Sequence, residues 1–287
     1  MSALIWDDEP PELRSPILVA AFAGWNDAAS SATTALEAVI ADLDAQPVAH
    51  IDPEEFYDFQ VTRPSVRIDE DEQRVIDWPE NVISTAVSAG AERDLIIVSG
   101  IEPNVRWRAF TDLVCEAGER LGASMVVTLG ALIADVAHTR PVPISGGASS
   151  LELVEQMGLN LSSYEGPTGI TGVVGEAFSR RGVPTASLWA AVPHYVAAVP
   201  NPKAALALLR RLEGFTKVAV EASELEEAME RFEEQVDRAV QANPEIEELV
   251  QGLEAEQQTT DIEPSEPDVS GDAIARDFQR FLRQQDD

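Results

Sequence analysis

Lysine is nearly missing from this chain of 287 residues: Lys203 and Lys217 are the only two, and with arginine they make 20 basic residues against 51 Asp and Glu. The formal net charge is −31. Phosphate-rich surfaces are bound through clustered Lys and Arg, so nucleic acid and anionic membranes are excluded as partners. The acidic excess reads as a solubilising surface or as a face that meets a basic protein patch. Cysteine is reduced to Cys115, which excludes an internal disulfide and a cysteine-based zinc site. With no helix start or basic cluster beside it, Cys115 reads as a small packing residue. The three histidines, His50, His138 and His194, are scattered without ligand spacing, so neither a metal site nor a cofactor is expected. No apolar run approaches the length of a bilayer span. Residues 1–11 are acidic and lack the basic segment and apolar run of a secretory signal, so the chain is expected to be cytoplasmic.

The composition is 45% hydrophobic, enough for a well-buried core. Residues 17–23 form a short apolar run, as expected of a strand buried on both faces. Gly24-Trp25-Asn26-Asp27 follows as a turn, with Asp27 placed to cap a helix over residues 28–43. Residues 47–51 read as the next strand, completing a βαβ unit. Residues 66–68 and 74–78 form a hairpin around an acidic turn, and residues 82–89 read as a short helix. The rhythm then returns: a strand at 95–99, a helix at 105–121 and a strand at 125–129. Beyond a loop-rich stretch come helices at 150–157 and 169–181 and a final strand at 185–191. The expectation for residues 1–200 is an α/β core built on a mostly parallel sheet.

From Asn201 the character changes. Asn201-Pro202 opens a helix that Gly214 is expected to stop. Ser223-Glu224-Leu225-Glu226 fits a capping box, and Leu225, Met229, Phe232, Val236 and Val240 form an apolar stripe behind it. Asn243-Pro244 opens one more helix, with Ile246, Leu249, Val250 and Leu253 on one face. Residues 221–256 hold 13 acidic and two basic residues. This acidic helical extension, residues 201–255, packs either on the core or on a neighbouring subunit. Residues 256–271 read as a polar linker. Residues 272–287 read as a tail with a small amphipathic helix, either a docking peptide or a segment packed in cis.

Walker, GxGxxG, nucleophile-elbow and HExxH motifs are all lacking. In open α/β sheets ligands bind beyond the carboxyl ends of the strands, and two loops expected there carry a carboxylate: Asp27 in Gly24-Trp25-Asn26-Asp27, and Glu102 in Gly100-Ile101-Glu102-Pro103-Asn104. On neighbouring strands they would share a crevice as an acid/base pair; alternatively one is a helix cap and the other a turn residue. A third segment runs Tyr164-Glu165-Gly166-Pro167-Thr168-Gly169-Ile170-Thr171-Gly172. Its glycines permit close backbone approach, and the helix behind them would offer N–H groups to an anion, or the glycines pack with Thr168 as a cap. Candidate catalytic residues are therefore Asp27, Glu102 and Glu165; candidate ligand-binding residues are Gly24, Trp25, Asn26, Gly166, Thr168, Gly169 and Thr171.

These segments carry a resemblance. Ala23-Gly24-Trp25-Asn26-Asp27-Ala28, Glu55-Phe56-Tyr57-Asp58-Phe59, Thr62-Arg63-Pro64 and Ser99-Gly100-Ile101-Glu102-Pro103-Asn104 resemble bacterial members of the proteasome assembly chaperone family. So do Trp107-Arg108-Ala109-Phe110, His138-Thr139-Arg140-Pro141, the glycine segment and Pro193-His194-Tyr195. The likeness covers about residues 16–253. It implies a three-layer α/β fold similar to nucleoside phosphorylases and hydrolases, self-association into a homo-oligomer, and a chaperone or binding role with proteasome subunits as the partner class. Archaeal relatives that dock on proteasomes end in a hydrophobic-Tyr-any triplet; the sequence here ends Gln285-Asp286-Asp287 and departs from it. Two functions are carried forward. One is a non-catalytic cytoplasmic binding or assembly protein; the other is a hydrolase or transferase acting on a small anionic metabolite.

Overall fold

The computed structural model describes residues 2–7, 9–69, 72–88, 90–161 and 164–256; the tail helix and the linker beyond Glu256 lie outside them. The strands are β1 (Leu4–Trp6), β2 (Ile17–Ala23), β3 (Gln46–Ile51), β4 (Ser65–Ile68), β5 (Arg74–Asp77), β6 (Asn81–Ala86), β7 (Leu95–Ile101), β8 (Met125–Ala134), β9 (Ile144–Ala148), β10 (Asn160–Leu161) and β11 (Thr185–Pro193). The helices are α1 (Ser31–Asp42), α2 (Trp107–Arg120), α3 (Leu151–Met157), α4 (Ile170–Arg180), α5 (Pro202–Thr216), α6 (Ser223–Gln241) and α7 (Pro244–Glu256).

Nine strands form one sheet in the order β1-β3-β6-β7-β2-β8-β11-β9-β10. The central four, β7, β2, β8 and β11, are parallel, while β6, β3 and β1 on one side and β9 on the other join antiparallel. The central strands are largely apolar because both of their faces are covered, and β2 is apolar throughout. Along β2, Ile17, Val19 and Ala21 enter one core, shared with Leu36 and Val39 of α1 and Leu208, Leu209 and Leu212 of α5. The alternate residues Leu18, Ala20 and Phe22 enter a second core, with Phe110 and Val114 of α2 and Ile170, Val174 and Phe178 of α4. Sheet and two helical layers make the expected sandwich. Each fully buried Leu, Ile or Phe contributes roughly 1.5–3 kcal/mol, so this two-sided burial fixes the register of the central strands.

Several expectations are corrected. Residues 81–86 are a strand, not part of a helix; β6 runs antiparallel between β3 and β7, with Asn81 opposite Gly100. β3 therefore does not pair with β2, and the first strand–helix–strand unit skips two positions in the sheet. The loop-rich stretch after β8 contains β9, paired with β11. Gly214 does not stop α5, which continues to Thr216 and ends with Lys217 in the left-handed region at φ 60°. The capping box does not form: Ala222 stands at the cap position of α6, and the Glu226 carboxylate pairs with Arg210 at 2.5 Å. The stripe of α6 lies against its own chain, where Phe232, Val236 and Val240 are buried with Ala137, Tyr195, Val196 and the Ile246, Val250 and Leu253 face of α7. Arg74–Asp77 and Ser65–Ile68 do pair, as a two-stranded sheet apart from the main one.

Candidate functional site

β2 and β7 are neighbours and end together, Ala23 opposite Ile101, so their following loops meet at the carboxyl end of the sheet. Glu102 donates its N–H to the carbonyl of Ala23 at 2.9 Å. Its carboxylate accepts the N–H of Trp25 at 3.4 Å through Oε2 and the N–H of Ile170 at 2.8 Å through Oε1. Ile170 opens α4. At this helix N-terminus, where an external anion was one of two readings, the chain itself supplies a carboxylate: Glu102 accepts the Ile170 amide and offsets the positive end of the helix dipole. Gly169, not Thr168, holds the cap position, and no side chain of its own segment caps α4.

Two glycines make the approach possible. Gly24 has φ 141°, and a Cβ there would stand 3.0 Å from the Glu102 Cβ. Gly169 has φ −102° and ψ −172°, which any residue adopts; what it provides is space, since a Cβ would fall 1.8 Å from Asn26 Oδ1. Asn26 is 3% exposed, and among the described residues neither its Oδ1 nor its Nδ2 has a hydrogen-bond partner. Its backbone carbonyl accepts the Ala131 N–H of β8 at 2.8 Å, so the loop is strapped to the next strand.

Asp27 turns the other way. Its Oδ1 accepts the N–H of Ala32 at 2.7 Å and of Thr33 at 3.3 Å, while Oδ2 takes the Thr33 hydroxyl. It therefore serves the start of α1, as expected, but across an intervening tight turn, residues 28–30. Ala29 and Ser30 there have φ of 53° and 51°, unfavourable for non-glycine residues. Burial raises the Asp27 carboxyl above its ordinary range, against the pull of the Thr33 and Ala32 hydrogen bonds. Asp27 and Glu102 thus flank one loop with separate sets of partners. Trp25, Glu165, Gly166 and Thr168 are exposed, whereas Asn26, Gly169 and Thr171 are buried. A cavity of about 260 Å³ beside α4 is lined by Thr128, Gly147, Thr171, Gly175 and Ser187 among others, but by neither Asp27 nor Glu102. The two carboxylates and the glycine segment come together as packing, with Glu102 engaged by two amides.

Residues 21–240 match the model of the PAC2 family. The chain belongs to the PAC2 family. The crystal structure of a PAC2 family protein from Streptomyces avermitilis is 46% identical, covers 82% of this chain and 99% of its own, and has a TM-score of 0.76. The proteasome-assembly chaperone homologue of Mycobacterium tuberculosis is 44% identical over 82% of this chain and 99% of its own, at a TM-score of 0.75. An archaeal proteasome activator from Pyrococcus furiosus shares the fold at 18% identity, covering 83% and 99% of the two chains, with a TM-score of 0.67. No functionally curated protein matches the chain.

The PAC2 chain also assembles a cluster that its sequence conceals, with His138 and Tyr195 buried and Asp237 exposed. His138 follows β8, Tyr195 follows β11 and Asp237 lies on α6. His138 Nδ1 is 2.7 Å from Tyr195 Oη and its Nε2 is 3.0 Å from Asp237 Oδ1. The Tyr195 oxygen also accepts the His138 backbone N–H at 2.8 Å. A neutral ring that accepts from Tyr195 and donates to Asp237 satisfies both nitrogens. Burial lowers the His138 pKa, outweighing the opposing effect of Asp237. Lys203 adds a hydrogen bond to the His138 carbonyl and an ion pair with Glu233 at 2.6 Å. His138 and Tyr195 lie in two of the sequence segments that carried the family resemblance, the one available signal; their pairing across 57 residues, and with Asp237, is not visible in spacing.

Proposed function

We propose that this PAC2 protein is a non-catalytic, cytoplasmic binding or assembly-chaperone-like protein that works as a homo-oligomer and takes proteasome subunits as partners. The observation that carries the reading is an exposed apolar rim at the carboxyl end of the sheet. Trp25 is 64% exposed and Val61 72% exposed, and Trp78, Val105, Ile133 and Tyr164 are also large and exposed. Ile133 lies near the end of β8 and the others on loops, four of which are tied together: Asn104 accepts hydrogen bonds from Asp58 and Thr62 beside Val61, and Glu102 of the same loop joins Trp25 to the segment leading from Tyr164 into α4. Exposed apolar groups gathered on polar loops are the signature of a protein-binding surface rather than of a closed reaction site. At the same end Glu102, the best-placed catalytic candidate, has both carboxylate oxygens engaged by backbone amides. Family membership and the chaperone homologue at 44% identity support the partner class.

The test is equilibrium binding of purified proteasome α subunits from the same organism to the immobilised protein. Trp25→Asp and Tyr164→Asp, both at exposed positions, are expected to weaken binding at least tenfold; each 1.4 kcal/mol lost is a factor of ten. Binding that is unchanged in both variants would remove the rim from the interface, and absence of binding would remove the partner class.

A further inference from the structure

Residues 273–285 differ in charge from the rest of the chain: Arg276, Arg280 and Arg283 stand against Asp277 alone, in a protein of net charge −31. Among them Ile274, Phe278 and Phe281 recur at spacings of four and three, with Leu282 alongside. An amphipathic helix uses that spacing to lay one face on an apolar surface. Such a surface lies close to where α7 ends. Val250 and Leu253 of α7 are buried against Ala137 and Tyr195, beyond β8 and β11, and Glu254 accepts the Thr139 hydroxyl. Thr139 is eight residues past Ala131, whose N–H binds the carbonyl of Asn26 beside Trp25. Eight extended residues reach about 28 Å, the upper limit from Ala131 to Thr139. Ile274 follows Glu254 by 20 residues, and a flexible chain of that length spans about 22–27 Å.

We propose that residues 272–287 dock in cis on the apolar rim and shield it until a partner displaces them. The proposal rests on the rim's role as the binding surface and adds its regulation. Charge favours this occupant. The rim loops, residues 24–27, 52–63, 102–106 and 164–169, hold seven acidic residues and two basic ones. A cationic apolar segment is complementary to them, where most stretches of so acidic a chain would be repelled. At physiological salt that attraction acts over about 8 Å, so it bears on a segment lying against the loops. Tethering adds to it. A linker whose mean span matches the distance to its site holds the segment there at an effective concentration of about 1 mM. Millimolar affinity then keeps the rim covered half of the time or more. Shielding of that degree slows exchange at the rim and weakens partner binding by one common factor, about two- to fivefold.

The test is hydrogen exchange on the full chain and on its Phe278→Asp, Phe281→Asp double variant, both positions lying beyond α7 in the sequence. The loops carrying Trp25, Val61, Val105 and Tyr164 are expected to exchange about two- to fivefold faster in the variant, at low and high protein concentration alike. Unchanged exchange in α6 and α7 is expected beside it and shows that the fold is intact. Equal exchange at the rim in the two chains would overturn the docking. A difference confined to α6 and α7 would overturn it too, by assigning the segment to those helices. A difference that grows with protein concentration would replace the cis contact with one from a second copy. The variant is also expected to bind proteasome α subunits more tightly by the same factor; faster exchange with unchanged affinity would overturn the shielding. Absence of binding by both chains, with the exchange difference intact, would overturn the partner class and leave the docked segment standing.

Discussion

Gly169→Ala adds one methyl group to the cap of α4 and is expected to destabilise the protein for a reason unrelated to glycine's backbone freedom. The dihedrals at Gly169 are open to alanine, but the new Cβ would lie 1.8 Å from Asn26 Oδ1 and 2.5 Å from both its Cγ and Nδ2. Asn26 is buried and its backbone is pinned to β8, so the side chain has little room to retreat. Overpacking of this kind costs about 1–3 kcal/mol, or about 2–12 °C of melting temperature for a chain of this size. Asn26→Ala alone removes an amide whose two polar atoms are both unpartnered, and so costs under ~1 kcal/mol. Combining the substitutions removes the clash, and the double variant is expected to recover at least ~1 kcal/mol relative to the sum of the singles. The assay is calorimetric melting of all four proteins. A Gly169→Ala variant that melts with the wild type, or a double variant no better than additive, would refute the packing role of Gly169.

Glu102→Ala leaves the buried Ile170 N–H without its acceptor and is expected to cost ~1–3 kcal/mol, with Glu102→Gln recovering part of it; for the same reason phosphate titrated into the wild type by calorimetry should show no millimolar site at the start of α4. Phe232→Ala opens a cavity under α6 and is expected to cost about 3–5 kcal/mol without acting through an interface, which equal losses at high and low protein concentration would verify. His138 sits below its ordinary pKa in the folded state, so the unfolded chain takes up its proton first. Its contribution to stability is therefore lost as pH falls below about 6.5, and His138→Gln is expected to flatten melting temperature against pH over that range.

The strands that are apolar on both faces were legible because burial on two sides removes any alternation: β2 and β7 read directly from the sequence. β6 did not, since Asn81, Ser84 and Thr85 are buried polar residues whose environment is supplied by strands β3 and β7. β9 is a strand of Ile, Ser, Gly, Gly and Ala without a pattern to read; Gly146 is there because a Cβ would stand 1.9 Å from the Ser187 carbonyl, a fact of the neighbouring strand. The candidate site was half legible. The loops of Asp27 and Glu102 were placed beyond strand ends, with a shared crevice only if those strands were neighbours; β2 and β7 are neighbours, but the Ile170 N–H that Glu102 accepts lies 68 residues away, at the place where an external anion was considered. Local rules also lost to long-range contacts at Glu226, which pairs with Arg210 instead of completing a capping box.

Binding of other proteins through the carboxyl end of the sheet is testable by hydrogen exchange measured with and without bound proteasome α subunits. Slowed exchange is expected in the loops carrying Trp25, Val61, Val105 and Tyr164, with little change in α6 and α7. Protection confined to α6 and α7, with the rim exchanging as in the free protein, would contradict it.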